Sequence, residues 1–164
     1  MRVVVFSDSH GISSAMEAAI QQQKEAKLFI HLGDGLEEFK ALMKKYPHKE
    51  YWCVRGNCDY SAAEESTAYS WIKEIKVMFT HGHNWYVKHD LEELKQAARD
   101  HEVQILLYGH THCSNIEYDN GLYIMNPGSI SCPRDVSCPT YGTIDIHGRN
   151  IVCNIVKMED FRGW

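Results

Sequence analysis

Seven side chains of the kinds that bind metal ions follow short apolar runs along this 164-residue chain. They comprise two carboxylates, one amide and four imidazoles, namely Asp8, His10, Asp34, Asn57, His81, His110 and His112. Nitrogen and oxygen ligands in this mixture suit Mn, Ni, Zn, Fe or Co, whereas four imidazoles disfavour Mg and Ca. Because the set is too large for one ion, we predict a centre of two divalent transition-metal ions, with Mn as the first choice.

Five apolar runs precede these residues, and each stops at a small, glycine-marked polar cluster. The runs occupy residues 3–6, 28–32, 51–54, 77–79 and 105–108. Continuous apolar runs of this length predict strands buried on both faces. Each cluster alone is a weak signal, because Asp also caps helices and Gly-Asp-Gly also forms turns. Ligands bind at the carboxyl ends of strands in α/β sheets, so five such clusters together predict one convergent site.

The intervening segments predict the elements that would carry this site. Helical spacing of apolar residues occurs at 13–26, 36–45 and 90–100, between the apolar runs. The second half differs, because 66–80 is typical of two strands and 140–158 of a hairpin. We therefore expect an α/β fold with βαβ units and a mixed sheet or a two-sheet sandwich, rather than a purely doubly wound sheet.

Length and charge limit the classes of function. A chain of 164 residues is typical of one domain, which we place at 1–164. Seventeen basic against twenty-two acidic residues give a net charge of −5, which argues against coating nucleic acid or attraction to an anionic membrane. Two bound divalent ions would nevertheless make the site locally positive and suited to a phosphate ester, whose hydrolysis needs a hydroxide available at neutral pH.

Six cysteines raise the question of a disulfide framework. Residues 1–10 hold an apolar run too short for a signal peptide or a membrane span. The expected location is therefore the cytoplasm, with the cysteines as free thiols. No Cys-x-x-Cys pair is present, so we expect no cysteine–zinc site.

Five short motifs carry a family resemblance. They are Asp8-Ser9-His10, Gly33-Asp34, Gly56-Asn57-Cys58-Asp59, Thr80-His81-Gly82-His83 and Gly109-His110-Thr111-His112. In this order they resemble the motifs of the calcineurin-like metallophosphoesterase superfamily. The short chain and the segment Asn126-Pro127-Gly128-Ser129 resemble its small bacterial and archaeal phosphodiesterase branch, which is related to the eukaryotic retromer scaffold subunit.

The resemblance implies a fold, a ligand set and a reaction. The implied fold is a four-layer αββα sandwich, in which helices flank two mixed β-sheets. One ion would be held by Asp8, His10, Asp34 and His112, and the other by Asp34, Asn57, His81 and His110, with Asp34 bridging. The implied reaction is phosphodiester hydrolysis by in-line attack of a hydroxide held between the ions, while His110 or His83 stabilises charge on the phosphate oxygens.

The sequence departs from the family pattern at Cys58, where many members have a histidine after Gly-Asn. A thiol is a weak donor, so protonation of the leaving group by Cys58 is in doubt. We favour a role as small filler over a catalytic one, and we expect Asp59 to orient a histidine ligand. His31 is expected in the core. The remaining histidines are expected at the surface: His48, His89, His101 and His147.

Two other classes of function stay open. One is a non-catalytic scaffold of the same fold, which the intact ligand set disfavours because scaffold relatives tend to lose histidines. The other is a phosphomonoesterase or nucleotidase, although no arginine clamp for a dianionic phosphate is visible. A small phosphate ester is the expected partner, and aromatic residues at 85–86 and in the segment 161–164 could support a homodimer.

Overall fold

A computed structural model of the chain describes residues 1–161. The strands, in chain order, are β1 (Arg2–Phe6), β2 (Leu28–His31), β3 (Glu50–Cys53), β4 (Thr67–Ile72), β5 (Ile75–Thr80), β6 (Ile105–Tyr108), β7 (Ser114–Asp119), β8 (Leu122–Pro127), β9 (Thr140–His147) and β10 (Asn150–Lys157). The helices are α1 (Ser14–Gln22), α2 (Leu36–Lys45) and α3 (Glu92–Asp100). A short 3-10 helix spans His83–Trp85.

The ten strands form two mixed sheets of five strands each. The first has the order β10-β9-β1-β2-β3, in which β1, β2 and β3 are parallel and the β9–β10 hairpin is antiparallel. The second has the order β4-β5-β6-β8-β7, in which β5, β6 and β8 are parallel and both edge strands are antiparallel. The structure confirms the expected sandwich of two mixed sheets.

Successive side chains of β1 point to opposite faces of the sheet, and both faces are buried, which explains its continuous apolar run. Val3 and Val5 belong to the core between the sheets, whereas Val4 and Phe6 pack under α1 and α2 with Met16. The second sheet buries its outer face under α3 in the same way, through a separate apolar cluster. Helices therefore cover both outer faces, and the four layers hold the carboxyl ends of β1, β2, β5 and β6 rigidly in place.

Three expectations about the elements were wrong in detail. The run at 51–54 forms an edge strand, β3, whose residues are exposed or half-buried, because it has a partner only in β2. The first helix ends at Gln22 instead of residue 26, and the third begins at Glu92 instead of residue 90. The edge strand β7 was missed, because its burial alternates and it lacks an apolar run.

Over residues 1–161, none of the helices has the length and apolar character needed to cross a membrane. Two aromatic residues at 85–86 were expected to support a homodimer. Tyr86 is exposed, whereas Trp85 donates its indole N–H to Thr67 Oγ1 at 3.0 Å. Residues 162–164 lie outside the described residues.

Candidate metal centre

The structure brings all seven expected ligands to one end of the sandwich. Asp8 and His10 follow β1, Asp34 follows β2, and Asn57 follows β3. The remaining three follow strands of the second sheet: His81 after β5, and His110 and His112 after β6. The site is therefore built across the seam between the two sheets, as the strand-end clusters predicted.

One group of donor atoms comes from Asp8, His10 and His112, within 4.8 Å of one another. The two imidazole Nε2 atoms are 3.2 Å apart, and Oδ1 of Asp8 lies 3.3 Å from Nε2 of His112. Asp8 is fully buried, yet its Oδ1 has no hydrogen-bond partner among residues 1–161. This buried oxygen faces the Nε2 atoms of His10 and His112, so its charge needs a cation, either a protonated imidazole or a metal ion, and the group fits a divalent metal ion.

A second group comes from Asp34, His81 and His110, again within 4.8 Å. Nε2 of His81 lies 3.4 Å from Asp34 Oδ2, 3.2 Å from Asn57 Oδ1 and 3.1 Å from His110 Nδ1. Asp34 also shares a group with His10 of the first cluster. Its carboxylate thus lies between the two clusters, where a bridging ligand would have to be.

Backbone carbonyls orient two of the histidines. Nδ1 of His81 is 2.8 Å from the carbonyl oxygen of Leu32, and Nδ1 of His112 is 2.7 Å from that of Cys132. A donor proton at Nδ1 leaves the lone pair on Nε2, the atom that points into each cluster. These carbonyls perform the role expected of Asp59.

The expectation for Asp59 was therefore wrong. Its carboxylate accepts four backbone N–H groups, from Asp34 at 2.7 Å, Gly56 at 2.8 Å, and Gly35 and Leu36 at 2.9 Å. It ties the loop after β3 to the loop after β2 and the start of α2. Sequence spacing suggested a histidine partner for Asp59. Instead, backbone N–H groups of the adjacent loops bind its carboxylate and compensate the negative charge.

A series of hydrogen bonds that the sequence did not reveal supports the loop after β1. His31, buried as expected, contacts Ser9 Oγ through Nε2 at 3.0 Å and accepts the Gly33 N–H at Nδ1. Ser9 in turn donates to Oε1 of Glu38, which also accepts the N–H of Gly11 at 2.6 Å. Glu38 on α2 therefore fixes the turn that presents His10.

The segment Asn126-Pro127-Gly128-Ser129, together with Ser131 just after it, has a structural role. The hydroxyls of Ser129 and Ser131 both donate to the carbonyl oxygen of Asp8, at 2.7 and 3.0 Å. The Asn126 amide donates to the carbonyl oxygen of Gly109 at 3.0 Å. The segment thus ties together the loops that carry Asp8 and His110.

Five of the expected ligands have left-handed backbone conformations, with φ of 56° for Asp8, 45° for His10, 57° for Asp34, 68° for His110 and 59° for His112. Only nine non-glycine residues of the described chain have positive φ, so this strain is concentrated at the site. Such strain costs about 1–3 kcal/mol per residue and persists where surrounding contacts, such as those of Ser129 and Asp59, enforce it.

The electrostatics favour a bound cation. Burial opposes ionisation of Asp34, but His81 and the Cys58 N–H outweigh it and keep the pKa of Asp34 below its ordinary value. Burial also acts against the charged form of His81, yet contact with Asp34 raises the pKa of His81. Interaction with Asp8 raises the pKa of His112, and burial lowers the pKa of His110 to about 4. Two ionised carboxylates attract a cation to the site, and a metal ion would compete with protons for the Nε2 atoms of His81 and His112.

The two remaining candidates are Cys58, which forms a third donor group with His10 and Asp34, and His83, whose ring lies near those of His81 and His110. Desolvation and the carboxylate of Asp34 raise the pKa of the Cys58 thiol to about 11, so the thiol is neutral near neutral pH. His83 is half-buried, with ring centroids 5.3 Å from His81 and 6.2 Å from His110. Its Nδ1 is buried and finds no hydrogen-bond partner in the described part of the chain.

Comparison with known protein families gives a match over residues 1–149 to the calcineurin-like phosphoesterase superfamily domain. The chain is 30% identical over 148 residues to the probable metallophosphoesterase YsnB of Bacillus subtilis, covering 89% of this chain and 85% of that protein. It is 28% identical over 184 residues to the phosphodiesterase YfcE of Escherichia coli, covering 98% and 94%.

Solved structures show the same architecture. A conserved uncharacterised protein of Streptococcus pneumoniae, described as a predicted phosphoesterase, has a TM-score of 0.82 at 26% identity and covers 95% of this chain and 88% of that one. Vacuolar Protein Sorting 29 of Cryptosporidium parvum has a TM-score of 0.80 at 20% identity, covering 97% and 92%. The latter similarity concerns the fold alone.

Proposed function

This chain belongs to the calcineurin-like phosphoesterase superfamily, and from that premise we propose that it is a metal-dependent phosphodiesterase with a dinuclear centre. The observation that carries the proposal is the pair of donor clusters with Asp34 between them. The unpartnered, fully buried Oδ1 of Asp8 supports it. The name phosphodiesterase of the Escherichia coli relative favours diesters as the substrate class.

The proposed ligand assignment follows the two clusters. Asp8, His10 and His112 would hold one ion and Asn57, His81 and His110 the other, with Asp34 shared. Mn is the proposed metal, with Ni, Zn, Fe and Co as alternatives that the same nitrogen and oxygen donors accept. When bound, such ions lower the pKa of coordinated water to supply hydroxide and polarise the phosphoryl oxygens.

The chain's own residues would then position the phosphate by hydrogen bonds. His110 directs Nδ1 towards His81 at 3.1 Å, which leaves its Nε2–H to donate a hydrogen bond to a phosphoryl oxygen. His83, whose ring centroid lies 6.2 Å from that of His110, is a second candidate donor to the phosphate through its Nε2. Asp34 and Asp8 stay ionised, because neighbouring groups lower the pKa of both carboxyls. Cys58 supplies its backbone N–H to Asp34 Oδ1 at 2.7 Å, a contact that does not need the thiol.

The competing functions differ from this proposal in measurable ways. A scaffold would not need the hydrogen bonds that position the expected ligands. Examples are the bond from the Ser129 hydroxyl to the Asp8 carbonyl oxygen and the bond from the Asp34 N–H to the Asp59 carboxylate. A monoesterase would share the metal centre and differ only in substrate. We also propose the cytoplasm as the location, where the six free thiols would stay reduced.

The proposal is tested by hydrolysis of bis(4-nitrophenyl) phosphate by the purified chain supplied with Mn or Ni. We expect metal-dependent release of nitrophenol that Asp34→Asn reduces by about 100-fold or more. Asp160→Asn, at an exposed position, is the matched control and should retain full activity. Absence of hydrolysis in the wild type, or full activity in Asp34→Asn, would overturn the proposal.

A further inference from the structure

A cavity of about 680 Å³ opens beside the candidate metal centre, and His10, Asp34 and Cys58 are among its lining residues. One wall is the first turn of α2, and the other is the loop at residues 58–62. Because the cavity begins at the shared ligand Asp34, a phosphodiester bound at the centre would extend one of its two alcohol arms into it.

The charges around this cavity are unfavourable to a second anion. Besides Asp34, three carboxylates line it: Glu37, Glu38 and Asp59. Lys40 is the one lysine or arginine among its lining residues, and its Nζ is 2.5 Å from the carboxylate of Glu64. The cavity therefore combines a phosphate-binding end with an acidic remainder.

The N-terminus of α2 does not make the cavity favourable to an anion. A helix N-terminus normally attracts anions through its free N–H groups. Here the N–H groups of Gly35 and Leu36 both donate to the Asp59 carboxylate at 2.9 Å, so a protein anion already occupies that position. No phosphate or carboxylate of a substrate can use these donors while Asp59 holds them.

An aromatic side chain completes the cavity. Tyr60 lines it and is 90% exposed, although it belongs to the loop that carries Asn57 and Cys58. Exposure of a large ring beside acidic groups is the combination that binds alkylammonium ions, through the aromatic face and the neighbouring carboxylate. Glu38 and Asp59 already accept backbone N–H groups, whereas Glu37 is exposed in the first turn of α2, so Glu37 is the carboxylate that we assign to this attraction.

We propose that the cavity selects phosphodiesters in which one alcohol arm carries a quaternary or primary ammonium group, and that Glu37 and Tyr60 are the residues that select it. The inference rests on the proposed phosphodiesterase function and names the substrate class of the same site. It implies discrimination against arms that carry additional phosphate or carboxylate groups.

Three nitrophenyl diesters test the proposal with the leaving group held constant. Their second arms are choline, its uncharged isostere 3,3-dimethylbutanol, and a carboxylate-bearing alkyl alcohol of equal length. With Mn supplied, we expect kcat/KM to be about fivefold higher for the choline arm than for the neutral arm, the ratio that an interaction of about 1 kcal/mol produces. The anionic arm should be the poorest of the three.

Variants assign the preference to residues. Glu37→Gln and Tyr60→Leu should each lower the ratio of kcat/KM between the choline and dimethylbutyl arms by about two- to fivefold. Glu93→Gln is the matched control, because Glu93 is an equally exposed glutamate on α3 and lies outside the cavity. It should leave both the ratio and the rate unchanged.

The outcomes separate this inference from the function on which it rests. Hydrolysis of all three diesters at equal kcat/KM, or best hydrolysis of the anionic arm, overturns the inference and leaves the phosphodiesterase function standing. An unchanged ratio in both Glu37→Gln and Tyr60→Leu also overturns it. Failure to hydrolyse any of the three with metal supplied overturns the function, and the inference with it.

Discussion

Asp59 accepts the backbone N–H of Asp34 at 2.7 Å, and Asp34 is the residue whose carboxylate lies between the two donor clusters. The Asp59 carboxylate thus positions Asp34 by accepting its backbone N–H, and not through the Asp34 side chain. The left-handed backbone of Asp34, with φ of 57°, is enforced by this contact and by those of the neighbouring amides.

Replacing Asp59 by asparagine should therefore damage the centre without removing a ligand. An amide has one acceptor oxygen, so some of the four N–H groups would lose their partner. We expect the free energy of unfolding to fall by about 2–3 kcal/mol, and metal affinity to fall about 10- to 100-fold. Urea denaturation and a calorimetric metal titration measure the two effects.

Asp90→Asn provides the matched control for this variant. Asp90 also accepts a backbone N–H at the start of a helix, but only one, from Glu92 at 3.0 Å, and it is exposed. Its replacement should cost less than about 1 kcal/mol and leave metal affinity unchanged. Equal effects in the two variants would contradict a special role for Asp59.

Gly56 permits the loop after β3 to approach Asp34. A Cβ atom at this position would lie 2.1 Å from Oδ1 of Asp34, well inside van der Waals contact. Gly56→Ala should displace that carboxylate, destabilise the fold by about 1–3 kcal/mol and weaken metal binding at least about tenfold.

Gly121→Ala separates crowding from backbone strain. Gly121 has φ of 94° but open space around the added Cβ, so only the backbone penalty of about 1–2 kcal/mol applies. Metal titrations of both variants distinguish the cases, and loss of metal affinity in Gly121→Ala would show that general destabilisation explains the effect.

Cys58→Ser should retain activity on nitrophenyl diesters to within about threefold, because a nitrophenolate leaving group departs without needing a proton from the thiol. The contact that matters at this position is the backbone N–H to Asp34, which serine preserves. Steady-state kcat is the measurement. A fall of more than about tenfold would instead assign the thiol a catalytic role.

A pH-dependent effect is expected at the ion pair between Arg2, at the start of β1, and Asp145 on the paired strand β9. Arg2 donates to both carboxylate oxygens of Asp145, at 2.9 and 2.8 Å. The hydrogen bond from Arg2 lowers the pKa of Asp145 below its ordinary value. A carboxylate with a lowered folded pKa stabilises the fold above its unfolded pKa, and this contribution disappears as the pH falls through the folded value.

Asp145→Asn should consequently lower the free energy of unfolding by about 1 kcal/mol or less near pH 7, since Arg2 is partly exposed. The difference from wild type should shrink as the pH falls from about 5 to about 3. Urea denaturation of both proteins across this range tests the prediction, and a difference that stays constant with pH would contradict it.

Six of the seven expected ligands could be predicted from sequence because they lie within four residues of the end of a buried strand, whereas Asn57 follows the half-buried edge strand β3. A strand such as β1 shows its burial in its own residues, and the parallel arrangement then brings Asp8 and Asp34 to the same edge. The expected place of His31 in the core was correct for the same reason, since it lies inside the run that forms β2.

The supporting contacts could not be predicted, because they join residues distant in sequence. Ser129 reaches the carbonyl oxygen of Asp8 across 121 positions, and Glu38 reaches Gly11 across 27. Asp59 was assigned a histidine partner because local order does not show which loop it faces. The edge strand β7 was missed because neighbours in the folded sheet, and not its own residues, define it.

The ratio of bound metal to protein tests the central claim most directly. The purified chain would be equilibrated with Mn, desalted and analysed for metal by mass spectrometry. Two clusters that share Asp34 predict about two ions per chain in the wild type and fewer than about one in Asp34→Asn. A wild-type ratio of one or less, or a ratio that Asp34→Asn leaves unchanged, would contradict a dinuclear centre bridged by Asp34.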